Sequence, residues 1–183
     1  MGVEFETVPS DFDEKLDDSR SPAEVAQELA LGKALAVAAL HPESIVIGSD
    51  TIMTIEGKQL EKPKDNNDAV AMLKSLGGKT HEVTTGLAVV RKSDGVQLVG
   101  SDTTAVHFRP YDEAAVARYV ATGDSLDKAG AYGIQSGAAP LFAYIVGRYD
   151  TVIGLPTELL AGMLAELGIV AHSVELVCPV EQR

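Results

Sequence analysis

At 183 residues with 45% apolar side chains, the chain can bury a sizeable core and is not a disordered segment. Its 15 Lys and Arg stand against 27 Asp and Glu, a net charge of −12, which argues against a broad nucleic-acid or anionic-membrane surface. Trp is absent and aromatics are 5%, which argues against a base-stacking platform, and any anionic ligand needs a local basic pocket or a metal ion.

In chain order, Val3–Val8 alternates apolar and acidic residues and predicts a half-buried strand closed by Pro9. After an acidic stretch, Ser21-Pro22-Ala23-Glu24 supplies a cap, a first-turn proline and the acid of a capping box, so a helix is expected to about Leu40, before Pro42. Leu29–Leu40 is interrupted only by Gly32 and Lys33, which makes that helix largely buried. Ile45–Gly48 is a β-branched core strand expected to end at Ser49-Asp50-Thr51, and a hairpin follows around Glu56-Gly57. Asp65 caps a second helix terminated by Gly77-Gly78. Thr80–Val90 and Val96–Phe108 are long strands joined at Ser93-Asp94-Gly95, and Asp112–Thr122 is a helix closed by Gly123. The loop Asp127–Gln135 is followed by a strand at Leu141–Val146 and by a last helix from Gly154-Leu155-Pro156 to Gly168. Helices interleave with hairpins, so the expected fold class is α/β with a mixed β-sheet flanked by helices, in a single domain over residues 1–183.

Cys178 is the one cysteine, which excludes an intrachain disulfide and suits a reducing compartment. No apolar run nears the roughly 20 residues of a membrane span, and the acidic start Met1–Glu6 lacks a signal peptide's basic region, so a cytoplasmic protein is expected.

Several chemistries fail on spacing. Gly78-Lys79-Thr80 ends like a P-loop but follows a helix and has Leu73 where a glycine is needed. His41, His81, His107 and His172 lack metal-ligand spacing, and no nucleophile elbow occurs. Carboxylates and lysines at element ends remain. Asp50 is expected at the carboxyl end of a buried strand, where α/β sheets keep their ligand crevice, although a turn aspartate bonding its own backbone fits the same letters. Lys33 is a lone cation on an apolar helix, open to snorkelling. Lys62 and Lys64 flank Pro63. In Asp127–Gln135, Gly130 and Gly133 allow close backbone approach, and Gln135 offers a donor and an acceptor to a base edge, against the plainer reading of a tight structural turn. Carboxylates, lysines and a glycine-rich loop with an amide together fit a Mg²⁺-dependent phosphoryl or nucleotidyl reaction.

The segments Val46–Thr51, Glu61-Lys62-Pro63, Met72–His81, Asp127–Gln135 and Gly154-Leu155-Pro156 occur in the order and spacing of the Maf family, the septum-formation Maf-like nucleoside triphosphate pyrophosphatases. The resemblance runs from Val3 to about Leu167, and Asp127–Gln135 is its most specific block. It implies an inosine-triphosphate-pyrophosphatase-like fold with two lobes around a cleft, commonly a homodimer, that hydrolyses a nucleoside triphosphate to the monophosphate and pyrophosphate. Asp50-Thr51 with Ile134-Gln135 matches the dTTP/UTP-preferring branch. By the same resemblance Asp50 is the proton acceptor, and Glu14 and Asp127 bind a divalent cation (Mg²⁺ or Mn²⁺). Lys33, Lys62 and Lys128 neutralise the triphosphate, while Thr51 and Gln135 read the pyrimidine.

The chain departs from the family at its start. Maf proteins begin with a strand leading into Ser-x-Ser-Pro-Arg-Arg; Met1–Phe5 corresponds to the region just after, so the domain is expected to be N-terminally incomplete, short of a strand and of the principal phosphate-binding arginines. A catalytically impaired nucleotide-binding or cell-division regulatory relative is therefore the alternative to an active enzyme.

Overall fold

The computed structural model describes residues 1–13, 20–135, 137–174 and 176–183. Among the described residues, five α-helices, α1 (Pro22–Leu40), α2 (Asn66–Leu76), α3 (Glu113–Val120), α4 (Tyr149–Val152) and α5 (Thr157–Glu166), are interspersed with six strands, β1 (Val46–Ile55), β2 (Lys58–Gln59), β3 (Thr80–Arg91), β4 (Val96–Phe108), β5 (Phe142–Val146) and β6 (Glu181–Gln182). The strands form one open sheet in the order β2-β1-β3-β4-β5-β6. Its pairing is mixed: β1–β2 and β4–β5 are antiparallel, β5–β6 parallel.

Local chemistry accounts for the element ends. Ser21 and Glu24 form the expected capping box, with Pro22 in the first turn of α1. Asp65 and Asp112 cap α2 and α3 by accepting the amides of Asp68 and Ala115. Glu56 and Gly57 both take positive φ, 51° and 76°, as the two central residues of the β1–β2 hairpin, which fits a twist-compatible two-residue turn.

Two expectations are corrected. Val3–Val8 forms no strand: Val3, Phe5 and Val8 are 38%, 83% and 41% exposed, and alternation yields a strand only where one face is buried against a partner. Asp50 does not end its strand; β1 continues to Ile55. The Ser49 hydroxyl finds backbone carbonyls and the Asp50 carboxylate finds Lys33, and Thr51–Ile55 keeps β-branched residues suited to a pleated surface, so nothing forces the chain out of the sheet.

The chain divides into two compact units, the first Met1–Thr51, Thr84–Asp102 and Gly154–Leu176, the second Ile52–Val83, Thr103–Ile153 and Val177–Arg183. In the first unit β3 is covered on both faces. Ala88 and Val90 pack with Ala30, Ala34 and Ala38 of α1. Leu87 and Val89 pack with Leu160, Met163 and Leu164 of α5. Alternate residues of one strand thus serve two helices, which explains the nearly continuous apolar run. In the second unit a larger core joins Leu73 and Leu76 of α2, Val116 and Val120 of α3, Val106 and Phe108 of β4, and Phe142 and Ile145 of β5.

The approach of α1 to the sheet is set by two glycines. A Cβ on Gly86 would lie 2.2 Å from the carbonyl carbon and oxygen of Ala26, and one on Gly48 would lie 2.3 Å from the carbonyl oxygen of Ala30. Hydrogen at both positions and alanine at 26, 30 and 34 let the helix backbone lie on the strands. Gly162, on the exposed side of α5, meets nothing within 4 Å. Replacing Gly86 by Ala should therefore cost about 1–3 kcal/mol by overpacking, whereas Gly162→Ala should add up to about 1 kcal/mol of helix propensity. Thermal melts of the two variants should move in opposite directions.

Candidate active site

In the first unit the site grows from the packing of α1. Val25, Ala26, Leu29, Ala30, Ala34, Val37 and Ala38 form the helix's buried stripe, and Lys33 lies at the stripe's spacing rather than on the outer face. Asp50 stands two residues beyond Gly48 on β1, hence on the same sheet face. The close contact at Gly48 brings the two together: Lys33 Nζ donates to Asp50 Oδ1 at 2.5 Å, with side chains 23% and 12% exposed. Snorkelling does not describe Lys33. A cation on the apolar stripe is tolerated because a carboxylate meets it there.

The opposite face of β1 is organised by hydroxyls. Ser49 Oγ points at the carbonyl oxygens of Gly154, 2.7 Å away, and Gly86, 3.1 Å away, tying the Gly154-Leu155-Pro156 turn to β1 and β3. Thr51 Oγ1 lies 2.9 Å from Thr85 Oγ1, and Gly154, at φ 92°, leaves room beside Thr51 where a Cβ would sit 3.3 Å from its hydroxyl. Thr85 was not legible as a site residue: it occupies an apolar strand, where a threonine reads as a β-former.

In the second unit the loop Asp127–Gln135 is held in a demanding conformation. Gly130 and Ala131 both take positive φ, 68° and 62°, the second without glycine's freedom. The Gly130 amide donates to the Glu61 carbonyl at 3.1 Å, which sets Glu61-Lys62-Pro63 against the loop, with Pro63 buried and Lys62 exposed. Lys128 Nζ donates to Asp127 Oδ1 at 2.8 Å and to both the carbonyl and Oδ1 of Asp124, at 3.0 and 3.1 Å. These bonds hold the Lys128 ammonium above its ordinary pKa and the Asp127 carboxyl below its own. Gln135 is exposed, directly after the buried Ile134. Gly133 is not among the residues at positive φ; its amide instead donates to Tyr119 Oη at 2.9 Å.

Of the residues expected from sequence, Lys33, Asp50 and Thr51 are thus assembled in the first unit, and Lys62, Asp127, Lys128 and Gln135 belong to the second. Glu14 lies outside the described residues. The fit of a divalent cation rests on oxygen donors: Asp127 supplies a carboxylate that is 77% exposed, with one oxygen on Lys128. Among the described residues no group of three or more His, Cys, Asp or Glu side chains is placed to hold a metal ion, so the described carboxylates do not make a cation site by themselves.

Sequence patterns did not single out His81 and Tyr132 as a pair. His81 Nε2 and Tyr132 Oη are hydrogen-bonded, and both side chains are buried against Phe108. This contact ties β3 to the loop.

A mixed sheet covered by helices, an aspartate on an inner strand paired to a helix lysine, and a left-handed glycine-alanine loop define an α/β protein of one recognisable class. The chain belongs to the Maf-like protein family, whose model matches residues 1–167. A dTTP/UTP pyrophosphatase of Desulforamulus reducens is 42% identical over 169 residues, covering 92% of this chain and 88% of that protein. The dTTP/UTP pyrophosphatase of Symbiobacterium thermophilum is 43% identical over 168 residues, 92% and 86% of the two chains. One from Thermococcus gammatolerans is 42% identical over 165 residues, 90% and 86%. Among the described residues no helix is long and apolar enough to cross a membrane.

Burial pushes His81 down from 6.5 to about 3, with His107 adding a smaller push in the same direction. The unfolded chain therefore takes up a proton near pH 6.5 that the native state refuses until about pH 3, so stability is lost as pH falls through that window. The slope from this group is at most about 1.4 kcal/mol per pH unit. Chemical unfolding of His81→Gln between pH 6.5 and 5 should show a shallower loss than the wild type; equal slopes would assign the acid sensitivity elsewhere.

Proposed function

We propose that the protein is a nucleoside triphosphate pyrophosphatase that hydrolyses dTTP and UTP to the monophosphate and pyrophosphate. The observation that carries this reading is the pair of Lys33 on α1 and Asp50 on β1, 2.5 Å apart, in a chain whose relatives at 42–43% identity bear that activity in their names. Hydrolysis of a phosphoanhydride needs a carboxylate to orient and deprotonate water, and positive charge where phosphate oxygens gather negative charge. Asp50 is the carboxylate in this reading. Its Oδ1 receives Lys33, and the neighbouring ammonium compensates the charge of a side chain that is mostly buried.

Lys62 and Lys128 neutralise phosphate oxygens, and Thr51 and Gln135 contact the pyrimidine. The Gln135 amide presents both a donor and an acceptor, the pattern of a pyrimidine's O4–N3 edge. Mg²⁺ or Mn²⁺ belongs to the reading, with Asp127 and Glu14 as its oxygen donors; when bound, it adds positive charge at the triphosphate. A homodimer in the cytoplasm completes it.

Pyrophosphate release measured across dTTP, UTP, dCTP, dGTP and dATP should show highest kcat/KM for dTTP and UTP. Asp50→Asn should lower kcat by about 10²–10⁴-fold, the range of a lost general base, with dTTP binding retained in a calorimetric titration. A purine preference would overturn the roles of Thr51 and Gln135, and undiminished turnover in Asp50→Asn would remove that residue from the chemistry.

A further inference from the structure

The second unit contains a polar chain that the reaction itself does not require. Tyr119 projects from α3 into the core and is 5% exposed. Its hydroxyl accepts the Gly133 amide at 2.9 Å and directs its own O–H at Asp124 Oδ2, 3.5 Å away. The other oxygen of that carboxylate, Oδ1, receives Lys128 Nζ at 3.1 Å. Asp124 is itself held by the turn after α3, where Thr122 Oγ1 donates to the Tyr119 carbonyl at 2.6 Å and receives the Asp124 amide at 3.4 Å. One phenol therefore touches both ends of the Asp127–Gln135 loop: directly at Gly133, two residues before Gln135, and through Asp124 at Lys128.

We propose that Tyr119 is a positioning residue that fixes the spacing between Lys128 and Gln135, so that the phosphate-neutralising and base-reading ends of the loop are set together. The inference rests on the roles proposed for those two residues. Three features single out Tyr119. It sits on a helix of the core, so its hydroxyl is a fixed reference point rather than a mobile one. The intervening backbone passes through Gly130 and Ala131 at positive φ, a conformation that persists only where surrounding contacts over-determine it. The Asp124 carboxylate is shared, one oxygen toward the phenol and one toward the lysine, so a displacement at either end is felt at the other.

The test uses the full chain and two variants, Tyr119→Phe and Asp124→Asn, with steady-state kinetics on dTTP and dGTP and amide exchange at Gly133. Tyr119→Phe keeps the ring in the core and removes one oxygen. It should speed Gly133 exchange, raise KM for dTTP by about two- to tenfold, the worth of one hydrogen bond, and lower the dTTP/dGTP selectivity ratio, with kcat changed by less than twofold. Asp124→Asn cuts the same chain on the lysine side and should reproduce the KM and selectivity changes, and the double variant should fall short of the product of the two single effects. Two outcomes overturn the inference: faster Gly133 exchange with unchanged KM and selectivity, or equal losses for dTTP and dGTP carried by kcat. A wild-type chain without pyrimidine preference would instead fail the proposed roles of Lys128 and Gln135, a result read before either variant is made.

Discussion

The contact of the α1 backbone with Gly48 and Gly86 is the constraint from which the chemistry of the first unit follows. Carbonyl groups of Ala26 and Ala30 occupy space that any side chain on those strands would need. The helix therefore lies close to the sheet, and a residue on its buried stripe meets whatever the strand presents two positions further on. That pair is Lys33 and Asp50. Neither group would be stable there alone, because a charge among alanines and valines is costly unless an opposite charge meets it. Packing distance and charge compensation thus select each other: two missing side chains make the ion pair geometrically possible, and the ion pair makes a polar interruption of the helix stripe tolerable.

The second unit solves positioning differently. Its loop is held by burial of Ala131, Tyr132 and Ile134 in the core and by hydrogen bonds distributed along the backbone. Glu61 receives the Gly130 amide, Lys128 receives the Ala131 amide, Tyr119 receives the Gly133 amide, and His81 meets Tyr132. Three of the anchors come from outside the loop and one from within it, and together they keep Ala131 at φ 62° against its intrinsic preference. The two units together illustrate two routes to a fixed side chain, steric exclusion in one and accumulated polar contacts in the other.

Much of this was readable from the chain itself. The capping box at Ser21–Glu24, the hairpin at Glu56-Gly57 and the cap at Asp65 carry local signals strong enough to survive tertiary context. The motif blocks contain Asp50 and the Asp127–Gln135 loop, and the family resemblance adds Lys33. Other features were not legible, and for physical reasons. The end of β1 was misplaced because polar residues inside a strand look like a turn unless their partners, here Lys33, Gly86 and Gly154, are known. Val3–Val8 alternates as a strand does, but pairing is a property of the neighbour and not of the segment. The two-residue β6 and the one-turn α4 are too short for any periodicity, being held by what they pack against.

The division of the chain has a consequence for its biosynthesis. The first unit is assembled from Met1–Thr51, Thr84–Asp102 and Gly154–Leu176, and the second from the intervening stretches together with Val177–Arg183. Neither is a contiguous stretch of polypeptide, because β1, β3 and β4 each pass from one unit into the other. A ribosome cannot complete the first unit until α5 has emerged, nor the second until Val177–Arg183 has. Vectorial, unit-by-unit folding during translation is closed to this topology, and the long-range closures it requires are slow compared with helix formation. Until α5 emerges, the nascent chain carries Leu87 and Val89 of β3 without the residues of α5 that cover them.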